Sequence, residues 1–293
     1  MGWRTIKISN IAKIELKLDK LVVRYVDEQI QIFINEIDTL IIENTAVSLT
    51  ASLMVELLKN KVNIMFCDEK RNPYGTLNML YGSHNTSSRI REQILWQKEI
   101  KGKIWSFIVK EKIFQQMNFL KLLNKQEYNI LDKYLSEVEF DDVTNREAYA
   151  AKVYFNAIFG NSFSRNQDNA INAALNYGYS IILSYINREI VSSGYLTQVG
   201  IHHDNQYNYY NLGCDFMEPF RIIIDREVYK INCEKFTSEE KNILINILNK
   251  EVQIDGKNQF VSNAISIYVK SLLQAIEENN INIIKSFRIK DEF

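Results

Sequence analysis

The sequence is poor in the residues that interrupt secondary structure, with only 2 prolines and 10 glycines among 293 residues. Proline removes a backbone donor and glycine has a high conformational entropy when unfolded, so few positions here break a helix. Cysteine is equally scarce, because Cys67, Cys214 and Cys233 are the whole set and form no CxxC pair. An odd, small number of cysteines gives no basis for a disulfide framework. We therefore predict a helix-rich protein of the reducing cytoplasm.

Long hydrophobic runs and an excess of one charge are also missing. No stretch of 18 apolar residues occurs, and the opening MGWRTIKISN lacks the apolar core of a signal peptide. We expect no membrane partner. The formal net charge is −1, whereas nucleic-acid-binding proteins are often strongly basic. A contact with nucleic acid would therefore need a local basic patch.

The pattern of apolar residues changes at a polar stretch, GSHNTSS, at residues 82–88. Before it, short β-branched segments alternate apolar and polar side chains, as strands do, around one helix near 49–61. After it, apolar residues recur at helical spacing, apart from one short strand at 252–254. We predict an α+β fold with a small N-terminal β-rich domain (1–82), a linker (83–88) and a larger, all-helical catalytic domain (89–293).

Basic residues are concentrated between positions 89 and 125. This segment holds nine Lys and Arg residues against three Glu, with Trp96 and Trp105 among them. One interpretation is a helical face that follows a phosphate backbone. The other is an ordinary solvated surface, which the scattered positions of the charges favour.

Glu147 lies in the first turn of the helix that the spacing predicts over 144–159. Thr144-x-x-Glu147 has the form of a capping box, in which the glutamate satisfies a backbone N–H. Spacing alone favours that interpretation over a role in chemistry. His202 and His203 are adjacent in the polar GIHHDN loop at 200–205, where a neutral imidazole is suited to bind a metal ion. The alternative is two exposed histidines without a role.

Asp215, Glu218 and Arg221 recur at a spacing of three, which places them on one face of a helix. Two such carboxylates can hold a divalent cation, and an arginine can orient one of them or a phosphate. A salt-bridged helix face explains the spacing equally well. If the carboxylates do join a histidine, the donor set favours Mg²⁺ or Mn²⁺ over zinc and suits phosphodiester chemistry.

Four stretches together resemble the CRISPR spacer-acquisition integrases, especially the branch of type II systems. They are MGWRTIKIS at the start, REAYAAKVYFNAIFG at 146–160, DNAINAALNYGYSIIL at 168–183, and GIHH at 200–203 followed by DFMEPFR at 215–221. The similarity covers essentially the whole chain. One position departs from the family, which commonly has proline where Ile222 follows Arg221. Because that proline is not a ligand, the catalytic role is not in doubt.

The resemblance implies an N-terminal domain that dimerises and a C-terminal domain that holds Mg²⁺ or Mn²⁺. It places the catalytic metal ligands at Glu147, His203 and Glu218. It implies supporting roles for Asp215, Arg221, Asn172, Asn176 and Tyr177, the last three in a segment that lines the pocket. It also favours backbone contacts with DNA by the basic segment, for which we name Arg89, Arg91, Lys98 and Lys101.

The implied activity is insertion of foreign DNA as new spacers into a CRISPR array, by attack of a 3′-hydroxyl on a phosphodiester. The implied partners are double-stranded DNA (spacer precursor and leader–repeat), a second copy of the chain and a small ferredoxin-like protein. Type II systems add an accessory ring protein and the effector nuclease. Two other functions stay open. One is a metal-dependent DNA endonuclease, which differs in using water as the nucleophile, and the other is a non-catalytic DNA-binding scaffold.

Overall fold

The computed structural model of the chain describes residues 2–80 and 82–290. It divides into two compact units, Met1–His84 and Asn85–Phe293. The first is rich in strands and the second in helices, which confirms the predicted α+β class. Residues 1, 81 and 291–293, which belong to the predicted domains, lie outside the described residues.

The predicted linker at 83–88 is only partly a loop. A helix begins at Thr86, and the amides of Ser88 and Arg89 donate to the carbonyl of Asn85. The small polar residues that mark a loop in the sequence are the same ones that commonly start a helix, which explains the difference.

The N-terminal unit consists of short strands and one helix. In chain order these are β1 (Arg4–Ile8), β2 (Lys13–Lys17), β3 (Lys20–Arg24), β4 (Gln29–Phe33), β5 (Ile37–Ile42), β6 (Ser48–Leu49), α1 (Ala51–Lys59), β7 (Asn63–Cys67) and β8 (Pro73–Leu77). One sheet has the order β1-β5-β7-β8 and the other β4-β3-β2-β6. Ile14, Leu21, Leu40, Leu53 and Ile64 meet in the core with no exposed surface, because alternate side chains of each strand turn inward.

The C-terminal unit is built mainly of helices. They are α2 (Thr86–Ile94), α3 (Lys98–Leu122), α4 (Tyr128–Ser136), α5 (Arg146–Phe159), α6 (Ala170–Ser192), α7 (Asn211–Met217), α8 (Arg221–Ile231), α9 (Ser238–Asn246) and α10 (Val261–Glu277). The long α3 and α6 run through the core of the unit, where Trp105, Ile108, Leu175 and Ile182 are almost fully buried. Within the described residues, no helix is both long and apolar enough to cross a membrane.

This unit also contains strands, so the prediction of an all-helical domain is corrected in that detail. β9 (Glu251–Ile254) pairs antiparallel with β10 (Lys257–Phe260) and with β11 (Phe287–Ile289). Asp255 and Gly256 join β9 to β10 with φ angles of 53° and 71°, as a tight hairpin turn requires. The sequence showed the central strand, but β10 (KNQF) has only one apolar residue and β11 has only three residues, so neither carries a periodic signal.

Candidate active site

Two carboxylates from different parts of the C-terminal unit converge on one buried amine. The Nζ atom of Lys112, on α3, lies 2.6 Å from Oε1 of Glu147 and 2.5 Å from Oε2 of Glu218. Only 10% of the Lys112 side chain and 5% of the Glu218 side chain are exposed. Burial lowers the pKa of Lys112, but the two carboxylates raise it by more, so the amine is an ammonium. In the sequence, Lys112 is only one of the nine basic residues between positions 89 and 125.

Glu147 reaches this cluster because another residue caps its helix. Asp142 accepts hydrogen bonds from the backbone N–H groups of Arg146 (2.9 Å) and Glu147 (3.0 Å) at the start of α5. The capping-box interpretation of Thr144 and Glu147 is therefore wrong. The carboxylate of Asp142 stabilises the positive end of the helix, which leaves the Glu147 side chain to contact the amine of Lys112.

Glu218 stands between α7 and α8, in a short 3₁₀ turn that Pro219 helps to form. Its Oε1 atom accepts from Nε (3.0 Å) and Nη2 (2.9 Å) of Arg221, while Oε2 faces Lys112. The predicted salt bridge along this face therefore exists, and a second cation joins it. Burial raises the pKa of Glu218, but Arg221 and Lys112 outweigh burial and lower it to about 2.

Asp215 is fully buried and anchors the histidine loop. Its Oδ2 atom accepts from the backbone N–H of Ile201 (2.7 Å) and His202 (3.1 Å), and its Oδ1 from that of His203 (3.0 Å). The same Oδ1 lies 2.6 Å from Nδ1 of His203. A Cβ atom at Gly200 would lie 2.7 Å from Oδ2, so the loop can approach Asp215 this closely only with glycine.

This anchor fixes the orientation of the His203 ring. With Nδ1 held by Asp215, Nε2 is the nitrogen left to bind a ligand. The hydrogen bond to Asp215 raises the pKa of His203, against the effect of burial, and the charges of Glu218 and Glu147 add to the rise. The charges of Glu218 and Glu147 therefore act on the ring of His203, which the family resemblance implies to be the third metal ligand.

His202 has a different environment. Its ring stacks on Trp105, with centroids 4.1 Å apart and planes 7° from parallel, and its Nδ1 lies 3.6 Å from Oδ1 of Asp141. Both histidines therefore have contacts within the unit: His203 binds Asp215, and His202, although exposed, packs against Trp105 of α3.

The donor set fits a divalent metal ion. Glu147 and Glu218 offer ionic oxygens, His203 offers a nitrogen, and the ammonium of Lys112 already shows that a cation is stable between the carboxylates. Within residues 2–80 and 82–290, no group of three or more His, Cys, Asp or Glu side chains is arranged to hold a metal ion. The ammonium of Lys112 stands between the two carboxylates.

The residues predicted to line the pocket, on α6, have different neighbours in the structure. Asn172 and Asn176 accept from the guanidinium of Arg165, at 2.5 and 2.6 Å. Tyr177 is buried against Phe236. Tyr179 of the same segment lies beside Arg221: its ring centroid is 4.6 Å from the guanidinium of Arg221 and 5.3 Å from that of Arg165. Arg165 belongs to no motif, so sequence analysis did not find it.

Behind Tyr179 lies a buried acid, Asp225, which accepts a hydrogen bond from the hydroxyl of Tyr179. Burial raises the pKa of Asp225 from 3.8 to about 6, although the Tyr179 hydroxyl and Arg221 act to lower it. An Asp with a raised pKa keeps its proton in the folded state at a pH where the unfolded chain has lost it. Its contribution to stability is therefore lost as the pH rises through this window.

We predict that Asp225→Asn changes the pH dependence of folding. Between about pH 4 and pH 6 the wild-type protein should lose about 3 kcal/mol of unfolding free energy through this group, relative to the variant. Urea denaturation of both proteins at several pH values measures the difference. Parallel stability curves would contradict the prediction. Asp168→Asn, at an exposed position, provides the control and should follow the wild type.

The four predicted DNA contacts differ in their surroundings. Arg91 and Lys98 are exposed, and Lys101 is partly exposed. The guanidinium of Arg89 is instead held within the unit by the carboxylate of Glu277 and by the hydroxyl of Tyr195, at 2.9 Å. Arg89 therefore has a structural contact of its own, while among residues 2–80 and 82–290 no ion pair engages Arg91, Lys98 or Lys101.

Comparisons with known proteins agree with the predicted resemblance. Residues 8–252 match the model of the family described as CRISPR associated protein Cas1. The CRISPR-associated endonuclease Cas1 of Neisseria meningitidis serogroup C (strain 8013) is 30% identical over 291 residues, covering 97% of this chain and 96% of the relative.

Two solved structures show the same fold. A casposase bound to integration product has a TM-score of 0.78 at 22% identity, covering 96% of this chain and 92% of its own. A Cas6-RT-Cas1–Cas2 complex has a TM-score of 0.75 at 17% identity and covers all of this chain, which matches 36% of that longer one. The chain belongs to the Cas1 family of CRISPR-associated proteins, as the family match and the Neisseria relative show.

Proposed function

We propose that this protein is a cytoplasmic, metal-dependent DNA integrase that inserts DNA fragments as new spacers into a CRISPR array. The observation that carries the proposal is the pair of carboxylates of Glu147 and Glu218, which already hold a cation and whose charges act on His203. Membership of the Cas1 family supports DNA as the substrate, and the likeness to a casposase bound to integration product is consistent with joining of DNA.

The reaction exchanges one phosphodiester for another. The 3′-hydroxyl of the incoming strand attacks a phosphorus atom of the target strand, a new P–O bond forms, and the bond to the target's own 3′-oxygen breaks. The attacking hydroxyl loses a proton and the departing oxygen gains one, so no external energy source is required. Mg²⁺ or Mn²⁺ in the site would polarise the phosphate and neutralise the charge that develops on its oxygens.

The residues of the chain then have distinct tasks. Glu147, Glu218 and His203 would hold the metal ion, and Asp215 keeps Nδ1 of His203 engaged, which leaves Nε2 as the nitrogen available to a ligand. Arg221 binds one oxygen of Glu218 in two hydrogen bonds and fixes the direction of the carboxylate.

A strand-transfer assay tests this proposal. Pre-cut DNA with a free 3′-hydroxyl is mixed with a supercoiled plasmid and Mg²⁺ or Mn²⁺, and covalent joining is measured. We expect joined products, and DNA with a 3′-dideoxy end should give none. The second candidate is a metal-dependent endonuclease, which the name of the Neisseria relative favours. Cleavage without joining would support that function, and binding without either reaction would support a non-catalytic scaffold.

The exposed basic residues are proposed to bind the DNA backbone. Replacing Arg91, Lys98 and Lys101 together with alanine should weaken binding to every DNA sequence. The slope of log affinity against log salt should flatten by about 0.9 for each phosphate of duplex DNA that is no longer neutralised. Titrations at several salt concentrations measure this slope. Arg89→Ala is the matched comparison, because its guanidinium is already paired with Glu277. An unchanged slope in the triple variant would return these residues to an ordinary solvated surface.

The N-terminal unit is proposed to form the homodimer. Its strand β4 is an outer strand of its sheet, and Ile30 and Phe33 on that strand are 40% and 47% exposed. An exposed apolar edge favours association. We predict that residues 85–293 alone are monomeric in light scattering, whereas the full chain is a dimer. Circular dichroism controls for the folding of the fragment, and a stable dimer of a folded fragment would contradict the assignment.

The remaining partners follow from family membership. We propose a small ferredoxin-like protein as the partner of the dimer, in keeping with the Cas1–Cas2 complex among the similar structures. We also propose that the chain belongs to the type II branch, with an accessory ring protein and the effector nuclease as further partners. Co-purification of the full chain with each candidate tests these assignments one by one.

A further inference from the structure

The central feature of the site is an internal cation that the proposed metal would have to replace. The ammonium of Lys112 lies 2.6 Å from one oxygen of Glu147 and 2.5 Å from one oxygen of Glu218. The other oxygen of Glu218 is bound by Arg221 at 2.9 Å. Both oxygens of Glu218 are therefore engaged by cations that belong to the chain.

Burial explains why such a cation is present. The Glu218 side chain is only 5% exposed, and a buried carboxylate without a positive partner is strongly unfavourable. Lys112 supplies that partner on a long, flexible stem from a rigid helix, α3. The folded protein can thereby hold the two carboxylates close together before any metal ion arrives.

A divalent ion and the ammonium compete for the same place. Mg²⁺ binds carboxylate oxygens at about 2.0–2.1 Å, which is inside the contact that Lys112 makes with them. Two positive centres cannot share these oxygens at such distances, because their repulsion in a poorly solvated site is large. A lysine can give way to a metal ion, because its ammonium has no preferred planar geometry and can move away on a flexible side chain. A bidentate arginine is held more firmly.

We propose that Lys112 is the resident counter-ion of the metal-free site, and that metal binding displaces its ammonium from Glu147 and Glu218. This inference rests on the proposed metal-dependent function. Lys112 thus stabilises the metal-free site and lowers its affinity for the metal. The site opens for the ion only when the ammonium leaves.

Metal binding by the full-length Lys112→Met variant tests the displacement. Mn²⁺ affinity is measured by titration calorimetry and by the electron paramagnetic resonance signal of free Mn²⁺. We expect Lys112→Met to bind Mn²⁺ about tenfold more tightly than the wild type, because the ion no longer has to displace an ammonium. Without metal its melting temperature should be lower, and saturating Mn²⁺ should restore it, because the ion replaces the missing positive charge.

Lys103→Met is the matched control. Lys103 lies on the same helix and pairs with Glu99 at the same distance of 2.6 Å, but this pair is at the surface. Its removal should change neither the Mn²⁺ affinity nor the effect of Mn²⁺ on melting. Lys112→Gln serves as a second variant if Lys112→Met does not fold, because an amide still donates hydrogen bonds to both carboxylates without carrying a charge.

The results separate this inference from the proposed function. If the wild type binds Mn²⁺ and neither Lys112 variant binds it more tightly, displacement is wrong while the metal site stands. If neither the wild type nor either Lys112 variant binds Mn²⁺, both the metal-dependent function and the displacement are wrong. Tighter binding by a Lys112 variant, with no change for Lys103→Met, supports both.

Discussion

Glu147→Gln, His203→Ala and Glu218→Gln are each expected to reduce strand transfer by at least about 10³-fold. Each change removes one donor from the single ion that the three side chains are proposed to share, so the ion is lost or misplaced. Double variants should be scarcely worse than single ones for the same reason. Joining of 3′-hydroxyl DNA to a supercoiled plasmid measures the effect, and thermal melting verifies that each variant is folded.

His202→Ala is the informative comparison for the histidine. This ring stacks on Trp105 and faces Asp141, whereas Nδ1 of His203 is held by Asp215. We expect His202→Ala to keep strand transfer within about tenfold of the wild type, because it removes packing and no donor. Normal activity in His203→Ala together with inactivity in His202→Ala would show that the wrong histidine has been assigned.

Asp215→Asn is expected to have the second largest effect on the protein, although Asp215 is fully buried. Its two oxygens accept four hydrogen bonds from the histidine loop, from three backbone N–H groups and Nδ1 of His203. In an asparagine, one of the two accepting oxygens becomes an NH₂ group, which cannot accept the hydrogen bonds that the loop donates to it. We expect a loss of about 3 kcal/mol in unfolding free energy, because buried donors lose a charged acceptor.

The same change should weaken Mn²⁺ binding by about 10–100-fold, because His203 loses the hydrogen bond that orients its ring. Calorimetric titration measures the affinity and urea denaturation the stability. Asp204→Asn is the matched control, since Asp204 lies in the same loop but is exposed. If Asp215→Asn loses stability yet binds Mn²⁺ as tightly as the wild type, Asp215 supports the loop and does not position His203.

Several features of this protein follow from the sequence alone. The change from alternating to helical periodicity near residue 82 predicted the α+β class, since side-chain spacing reflects which face of an element is buried. The motifs with Glu147, His203 and Glu218 identified the family, which the match over residues 8–252 confirms. These signals are local, and a few neighbouring residues suffice to carry each of them.

Only the tertiary structure decided which side chains meet. Lys112 lies 35 residues from Glu147 and 106 from Glu218 in the chain, so no spacing in the sequence relates them. Lys112 looked like one more surface charge, and Thr144 looked like the cap that Asp142 provides. The packing of α3 against α5 and against the turn before α8 brings Lys112, Glu147 and Glu218 together. Charged side chains are stable in such a buried place only when opposite charges meet.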